Sequence, residues 1–310
     1  MEYRELDREE FEKRMPQIID LHDQCFGPGM TEEYFSWRYL NGTMDDLFVH
    51  VAMDGDALAA FYAVSPLLIT CGETQYRAVL SLNTMTSPDY RGMGLFPRLA
   101  NDTMEHLRQE GYKAVIGFSN VHSNYIFNQH IGFSTVYEVP MLELPLEGQT
   151  YRNRSLEFDD RFEGQHFREQ FGGRLRVKKS PEYLRWRYAD SPEAQYHNLV
   201  LREGDAVLAY AVSKRWRDRL NLVEFHGATP ELEAELLERC IQYAIGEGCQ
   251  YLTVWAPVNT PRHHLFERKK FINRYPIHYF VVKQLDDAPG FPDMLDPRSW
   301  ELQLGDNNTY

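Results

Sequence analysis

Two segments of this chain read almost alike. EYFSWRY at 33–39 recurs as EYLRWRY at 182–188, and DGDALAA at 54–60 recurs as EGDAVLA at 203–209. Both pairs stand 149 residues apart, so one ungapped register serves both. Between 33–64 and 182–213 ten positions are identical, among them Trp37/Trp186, Arg38/Arg187, Gly55/Gly204 and Asp56/Asp205. The likeness continues with gaps. TSPDY (86–90) meets ATPEL (228–232), RQEGYKAVI (108–116) meets IGEGCQYLT (245–253), and FNQHIGF (127–133) meets FERKKF (266–271). A repeat in one constant order constrains the chain to two copies of one domain. Its 310 residues leave room for two cores of ordinary size. The expected organisation is a first domain over 1–145, a polar linker over 146–175, a second domain over 176–285 and a tail over 286–310.

Within a copy, hydrophobic spacing sets the elements. Residues 7–26 carry apolar positions near a helical period and predict one helix. LFVHVAM and ALAAFYAV flank Gly55-Asp56, a hairpin turn signal, and predict two paired strands. A third strand is expected over 76–86 and a helix from Leu95 to Glu110, stopped by Gly111. Strand, helix and strand then follow at YKAVIGFS, SNYIFNQHI and TVYEVPMLEL, and the second copy ends on IHYFVVKQL. Hairpins followed by strand–helix alternation imply an α/β fold, more closely an α+β one. Each domain would be a twisted mixed sheet flanked by helices.

Charge narrows the partners. With 33 basic and 46 acidic residues the formal charge is −13, which disfavours nucleic acid and anionic membranes as partners. The first residues, MEYRELDREEFEKR, lack the apolar stretch of a secretory signal. The longest apolar run, 57–69, is broken by Ser65 and Pro66 and is too short to span a bilayer. Cys25, Cys71, Cys240 and Cys249 are scattered, which reads as reduced thiols in a cytoplasm.

The segment SPDYRGMGLFPRLANDTMEHL (87–107) carries the chemistry. Glycines after a strand let backbone N–H groups approach a ligand, and the helix that follows adds partial positive charge at its start. Arg91 adds a permanent cation. Two readings stand side by side: a phosphate-binding turn, or a tight turn that uses glycine for its backbone angles alone.

PDYRGMG after a strand, followed some forty residues later by Gly132-Phe133, resembles the GNAT family of acetyl-CoA-dependent N-acyltransferases. The resemblance covers 30–145 well and 180–285 weakly. It implies that Arg91, Gly92, Met93, Gly94, Leu95 and Phe96 form the cradle for the pyrophosphate of coenzyme A. Phe96 stands where the family has Gly or Ala. It further implies that Thr84, Met85 and Thr86 lie on a strand that splays from its neighbour and pairs with the pantetheine arm. Asn124 and Asn128, on the later helix, are expected near the cofactor. The second copy has ATPELEAELL in place of the cradle, with Glu231, Glu233 and Glu235 and no glycine. It is expected to be degenerate, so acetyl-CoA would bind the first copy alone.

The resemblance places a catalytic tyrosine at position 128, where this chain has asparagine, so Tyr125 is the nearest phenol for a general acid. The cofactor strand has no carboxylate or histidine. Asn83 would hold a water, His22 and His122 are candidates by type, and the matching strand of the second copy carries Glu224 and His226. An acceptor pocket between the domains, lined by Glu224, is the expectation that follows. No metal is expected, since His263-His264 has no third ligand at sensible spacing. The implied activity is acetyl-CoA-dependent N-acetyl transfer to a small amine. A looser resemblance to GNAT-like proteins of surface-polysaccharide pathways, through the WRY segment and the ending SWELQLGDNNTY, points to an amino sugar, and an amino acid is also open. The alternatives are an aminoacyl or long-chain acyl transferase, and a non-catalytic protein that binds coenzyme A or a partner.

Overall fold

The Gly55-Asp56 and Gly204-Asp205 turns are built alike, with φ of +58° and +60° at the two glycines, a conformation glycine adopts without cost. They close the hairpins from which two sheets grow. The computed structural model describes residues 1–150, 155–162, 173–258, 260–286 and 292–308. Much of the expected linker, 151–154 and 163–172, therefore lies outside the described residues, as do 287–291 and 309–310 of the expected tail. The chain divides into two units. One comprises Met1–Tyr137 with Tyr279–Pro297, the other Glu138–His278 with Arg298–Tyr310. The divisions at 137/138 and 278/279 fall within the strands that run over 134–145 and 272–284.

In the first unit, β1 (Glu2–Glu5), β2 (Phe48–Asp54), β3 (Ala57–Cys71), β4 (Thr74–Thr86) and β5 (Ala114–Ser119) form the sheet in that order. All neighbours are antiparallel except β4 and β5, which are parallel. Residues Tyr279–Gln284 of β13 (Ile272–Gln284) pair antiparallel with β5. Strand β3 runs straight through Pro66, which the sequence reading took as a break. Its pairing with β2 ends at Val64, two residues before the proline that cannot donate to a ladder. The single helix expected over 7–26 is two helices, α1 (Arg8–Lys13) and α2 (Met15–Phe26). They are parted at Arg14 (φ −94°, ψ 3°), with Pro16 in the first turn of α2 where a missing donor costs nothing. Short α3 (Glu32–Phe35), capped by Thr31, leads into a five-residue π-helical turn over Ser36–Leu40. Helix α4 (Leu95–Gln109) buries Leu95, Leu99, Met104 and Leu107 against Phe48, Tyr62 and Val79. Helix α5 (Val121–Ile126) continues into a second π-helical turn ending at Gly132, φ +76°.

The second unit repeats this order. Strand β6 (Ser134–Pro145) gives Met141–Pro145 to its sheet, beside β12 (Tyr251–Trp255), β11 (Arg219–Gly227), β10 (Ala206–Trp216), β9 (Tyr196–Glu203) and β7 (Glu157–Phe158). Strand β8 (Leu175–Val177) precedes α6 (Pro181–Leu184), which leads into a π-helical turn at Arg185–Ala189. Helix α7 (Pro230–Gly246) packs Leu236, Leu237, Cys240 and Ile241 on Leu220 and Leu222, and α8 (Pro261–Arg268) follows β12. Trp37 and Trp186 occupy the same second place in their π-helical turns, and both are buried.

One buried group gives the fold a pH response. His50 on β2 lies opposite Glu5 and donates or accepts at Thr103 Oγ1, 2.9 Å away. Thr103 itself donates to Leu99 O, so it accepts from His50 Nδ1–H. Burial, with the neighbouring His106, pushes the His50 imidazole down to about 4. Below an unfolded value near 6.5 the unfolded chain takes a proton that the folded chain refuses. Stability therefore falls as pH drops from 6.5 towards 4, by about 3 kcal/mol in total at most. We expect His50→Gln to remove about 2 kcal/mol of the stability difference between pH 7 and pH 5, read by urea unfolding at each pH.

Candidate cofactor cleft and active site

Strand β4 stays beside β5 for three residues only, Ala78–Leu80 against Ala114–Ile116. It then runs on to Thr86 while β5 runs on to Ser119, with no pairing between the two extensions. The cause is a bulge. Leu82 faces Ala63 and Met85 faces Phe61, so Asn83 and Thr84 together oppose Tyr62. Asn83 takes φ +32°, a left-handed conformation that asparagine tolerates better than most residues. Beyond the bulge the alternation places Met85 in the core at 1% exposure, while Thr84 and Thr86 line a cleft of about 610 Å³.

The floor of that cleft is the segment read as a cradle. Gly92 and Gly94 have φ of +79° and +72°, and Gly94 is the N-cap of α4 without any side-chain cap. The first N–H groups of a fifteen-residue helix thus open towards the cleft with no internal acceptor. A Cβ at either glycine would meet nothing within 4 Å, so the space before them is free for a ligand. Arg91, Gly92, Gly94, Leu95 and Phe96 line the cleft, and Met93 is exposed. Arg91 Nε reaches Thr86 O at 3.4 Å, which ties loop to strand. Phe96, the departure from the family pattern, packs its ring against Tyr62 and Phe127 at 5.6 and 5.7 Å between centroids. Its bulk is taken up by the core beside the cradle. The residues present therefore suit a pyrophosphate and the arm of a coenzyme.

The other expected residues fall differently. Asn124 and Asn128 do not line the cleft. Asn124 Oδ1 accepts from Ser119 Oγ and Thr135 Oγ1 at 3.0 and 2.9 Å, and Asn128 Nδ2 donates to Asn124 O at 2.7 Å. They hold α5 and its π-helical turn to β5. Tyr125 is 65% exposed, is not among the cleft-lining residues and meets only the ring of His130. His130 itself lines the cleft, as do Cys25, Phe26, Tyr90 and Ile126. Tyr90 donates to Asp54 Oδ2 at 3.1 Å, a bond that raises its phenol above the ordinary value. Cys25 donates from Sγ to Thr86 O at 3.4 Å. Tyr90 and His130 stood inside the motifs already quoted. Cys25 and Phe26 carry no sequence signal, because only the fold of α2 brings them to β4.

Asn83 Nδ2 and the Tyr39 hydroxyl are both buried side by side; burial pushes the phenol up, and its interaction with Asn83 works against that rise. His22 is buried between Phe26 and Phe35, its Nδ1 3.7 Å from Asp23 Oδ1. His122, in the first turn of α5, is exposed. His263 Nδ1 meets Ala256 O and His264 Nδ1 meets Glu267 Oε2, both at 3.0 Å, and His263 Nε2 lies 3.6 Å from Glu267 Oε1.

Glu224 corrects an expectation. It is fully buried in the second unit, where Lys179 Nζ lies 2.6 Å from Oε1, Tyr188 donates to Oε1 at 2.5 Å and His226 Nε2 sits 2.9 Å from Oε2. Burial alone would raise its carboxyl. The charge of Lys179 and the bond from His226 outweigh burial and pull it well below the usual range. A carboxylate held so low is no base near neutrality, and both its oxygens are engaged. Strand β11 carries a bulge of its own, for Val212 faces Glu224 and Ser213 faces Leu222, which leaves Val223 unpaired with β10.

The family model for an acetyltransferase (GNAT) domain matches residues 2–136. No curated protein matches the sequence. Among solved structures the chain is similar to a conserved protein of Enterococcus faecalis V583 described as a probable N-acyltransferase. That likeness has a TM-score of 0.69 and 12% identity, over 92% of this chain and 72% of the other. Similar too are GCN5-related N-acetyltransferases from Kribbella flavida (TM-score 0.66, 13% identity, 92% and 71% coverage) and Anabaena variabilis ATCC 29413 (0.68, 14%, 92% and 73%). Such low identities speak for a shared fold. The cleft at the end of β4 and the glycine turn at the start of α4 both lie within residues 2–136, the stretch that matches the acetyltransferase (GNAT) domain model, and the chain is an acyltransferase.

Proposed function

We propose that the protein transfers an acetyl group from acetyl-CoA to the nitrogen of a small amine, an amino sugar or an amino acid. The first unit holds the coenzyme, and the second is a degenerate copy of the same domain that does not. The observation that carries this reading is the cleft itself, bounded by two left-handed glycines, a helix start and the unpaired end of β4. Helix N–H groups and Arg91 would take the pyrophosphate. The edge of residues 84–86 that β5 leaves unpaired would align the arm and polarise the thioester carbonyl. The amine then attacks that carbonyl carbon, the carbon–sulfur bond breaks, and the thiolate takes a proton. Tyr90, His130 and Cys25 are side chains on the cleft wall that could give that proton. The surplus of acidic residues suits a cationic amine better than a nucleic acid or an anionic membrane. Among the described residues no helix is long and apolar enough to cross a membrane.

The test is a binding isotherm followed by turnover. Acetyl-CoA should bind with one equivalent per chain and raise the melting temperature. At a hundred times the dissociation constant the stabilisation is about 2.7 kcal/mol. Thiol release in the presence of an amine panel then identifies the acceptor, and no release with any amine, despite binding, would favour the second reading. That reading is a coenzyme-binding protein without turnover. It draws on Asn128 at the family's tyrosine position and on the exposure of Tyr125. Tyr125→Phe should leave turnover within about two-fold, because a side chain this exposed, off the cleft wall, has no route to the reacting atoms.

A further inference from the structure

Strand β11 repeats the behaviour of β4. It is parallel to β12 over Arg219–Leu222 only and continues to Gly227 without that partner. In the first unit the corresponding edge borders an open cleft. In the second it borders the chain's own residues Trp300–Asn307. All eight are buried, with Trp300, Leu302 and Leu304 at 1%, 2% and 0% exposure, although they form no strand. Gln303 Nε2 donates to Phe225 O at 3.4 Å, and a Cβ on Gly305 would stand 3.0 Å from Val223 O. Both carbonyls belong to the part of β11 beyond Leu222, its last residue paired with β12, so the segment lies against backbone that β12 does not reach.

Charged anchors fix the segment on both sides of this contact. Glu301 Oε1 pairs with Arg262 Nη1 at 2.6 Å, and Arg262 Nη2 pairs with Glu233 Oε1 at 2.7 Å. Glu233 lies in the first turn of α7, the place where the first unit has its cradle, and its side chain folds back over Gly227, whose Cβ would stand 2.7 Å from Glu233 Cγ. At the other end Asp306 Oδ1 meets Lys179 Nζ at 2.6 Å, and Arg187 Nη2 donates to Asn307 O at 3.3 Å. A side chain at Gly305 would collide with the Tyr188 hydroxyl and come within 2.9 Å of Glu224 Oε1.

We infer that residues 300–307 are a built-in peptide occupant of the second unit's cofactor groove. The groove of that unit is thus a peptide-binding site whose ligand is this chain's own segment. This rests on the reading of the second unit as a copy of the first. It adds a reason for the loss of coenzyme binding beyond the missing glycines: the strand edge that would meet a pantetheine arm is already covered.

Hydrogen exchange on the full chain tests it, with Gly305→Val as the perturbation. In the unchanged protein, amides of 301–306 should exchange as slowly as those of β11, at least about 100-fold slower than in a free peptide. Gly305→Val should speed exchange at both 301–306 and 223–227 by about ten-fold or more. It should lower the melting temperature by about 5 °C and leave acetyl-CoA affinity within about two-fold, since the cradle is untouched. Free-peptide exchange at 301–306 in the unchanged protein overturns the proposal whatever the variant does. So does a Gly305→Val protein with unaltered exchange and melting, or a second equivalent of acetyl-CoA bound per chain. Absence of any acetyl-CoA binding would count against the cofactor reading of the first unit, while the exchange data would still decide the occupant.

Discussion

Gly94→Glu is expected to abolish acetyl-CoA binding. Gly94 sits at φ +72° as the N-cap of α4, so any side chain there is strained before charge is considered. The space in front of it is open to 4 Å, so the glutamate would not be forced away by neighbours and would project where an anion is to be held. Its carboxylate would satisfy the helix start itself and repel a pyrophosphate. Each factor of ten in affinity is about 1.4 kcal/mol, and repulsion with occlusion should exceed two such factors. Calorimetric titration should therefore show the dissociation constant raised more than about 100-fold. Gly94→Ala separates the causes: it keeps the strain and adds no charge, so its loss should be much smaller. Unchanged affinity in Gly94→Glu would falsify the assignment of the cradle.

The largest effect on stability is expected from Lys179→Met. Lys179 is the one cation placed 2.6 Å from both Glu224 and Asp306, with side chains 6%, 0% and 2% exposed. Burial works against its charge, but the two carboxylates outweigh burial and hold the ammonium above its ordinary range. Burial and the neighbouring Glu224 push Asp306 the other way, upward, against the pull of Lys179. Removing the lysine leaves two carboxylates enclosed beside each other. Breaking a buried pair in this way costs about 3–5 kcal/mol, and here two anions lose their partner. A chain of this size should then melt about 10 °C lower. Adding Glu224→Gln and Asp306→Asn to Lys179→Met should recover part of the loss, because neutral amides need no counter-charge. A Lys179→Met protein that melts within about 2 °C of the unchanged chain would show that the cluster carries little of the second unit's stability. Acetyl-CoA binding in the first unit should be unaffected throughout.

The local chemistry of the cleft was legible because it depends on residues close in sequence. The turn Arg91–Gly94, the start of α4 and the end of β4 lie within some twenty residues, and each is specified by neighbours: glycine by its backbone angles, proline by its missing donor, strand by alternation. The duplicated order of elements was legible for the same reason, since a repeat needs only comparison of the chain with itself. Helix boundaries were less so. Arg14 ends α1 although the apolar period runs on, because a period marks a buried face and not the continuity of hydrogen bonds.

What only the tertiary structure decided is where distant side chains end up and which of them are already spoken for. By itself the sequence showed that two pairs of segments recur at one offset of 149 residues, that a glycine turn stands at 91–94, and that the matching stretch 228–237 has none. It placed Glu224 on the strand matching β4, which is where it stands, but left its role to the surroundings. Those surroundings come from Lys179, Tyr188 and Asp306, up to 82 residues away in the chain, and they turn a candidate base into a fixed counter-ion. Likewise SWELQLGDNNTY looked like a tail, because its pattern matches neither a helix nor an alternating strand. The fold buries its residues 300–307 all the same, since the carbonyls of β11 and the charges of Arg262 and Lys179 supply the partners that its own sequence does not.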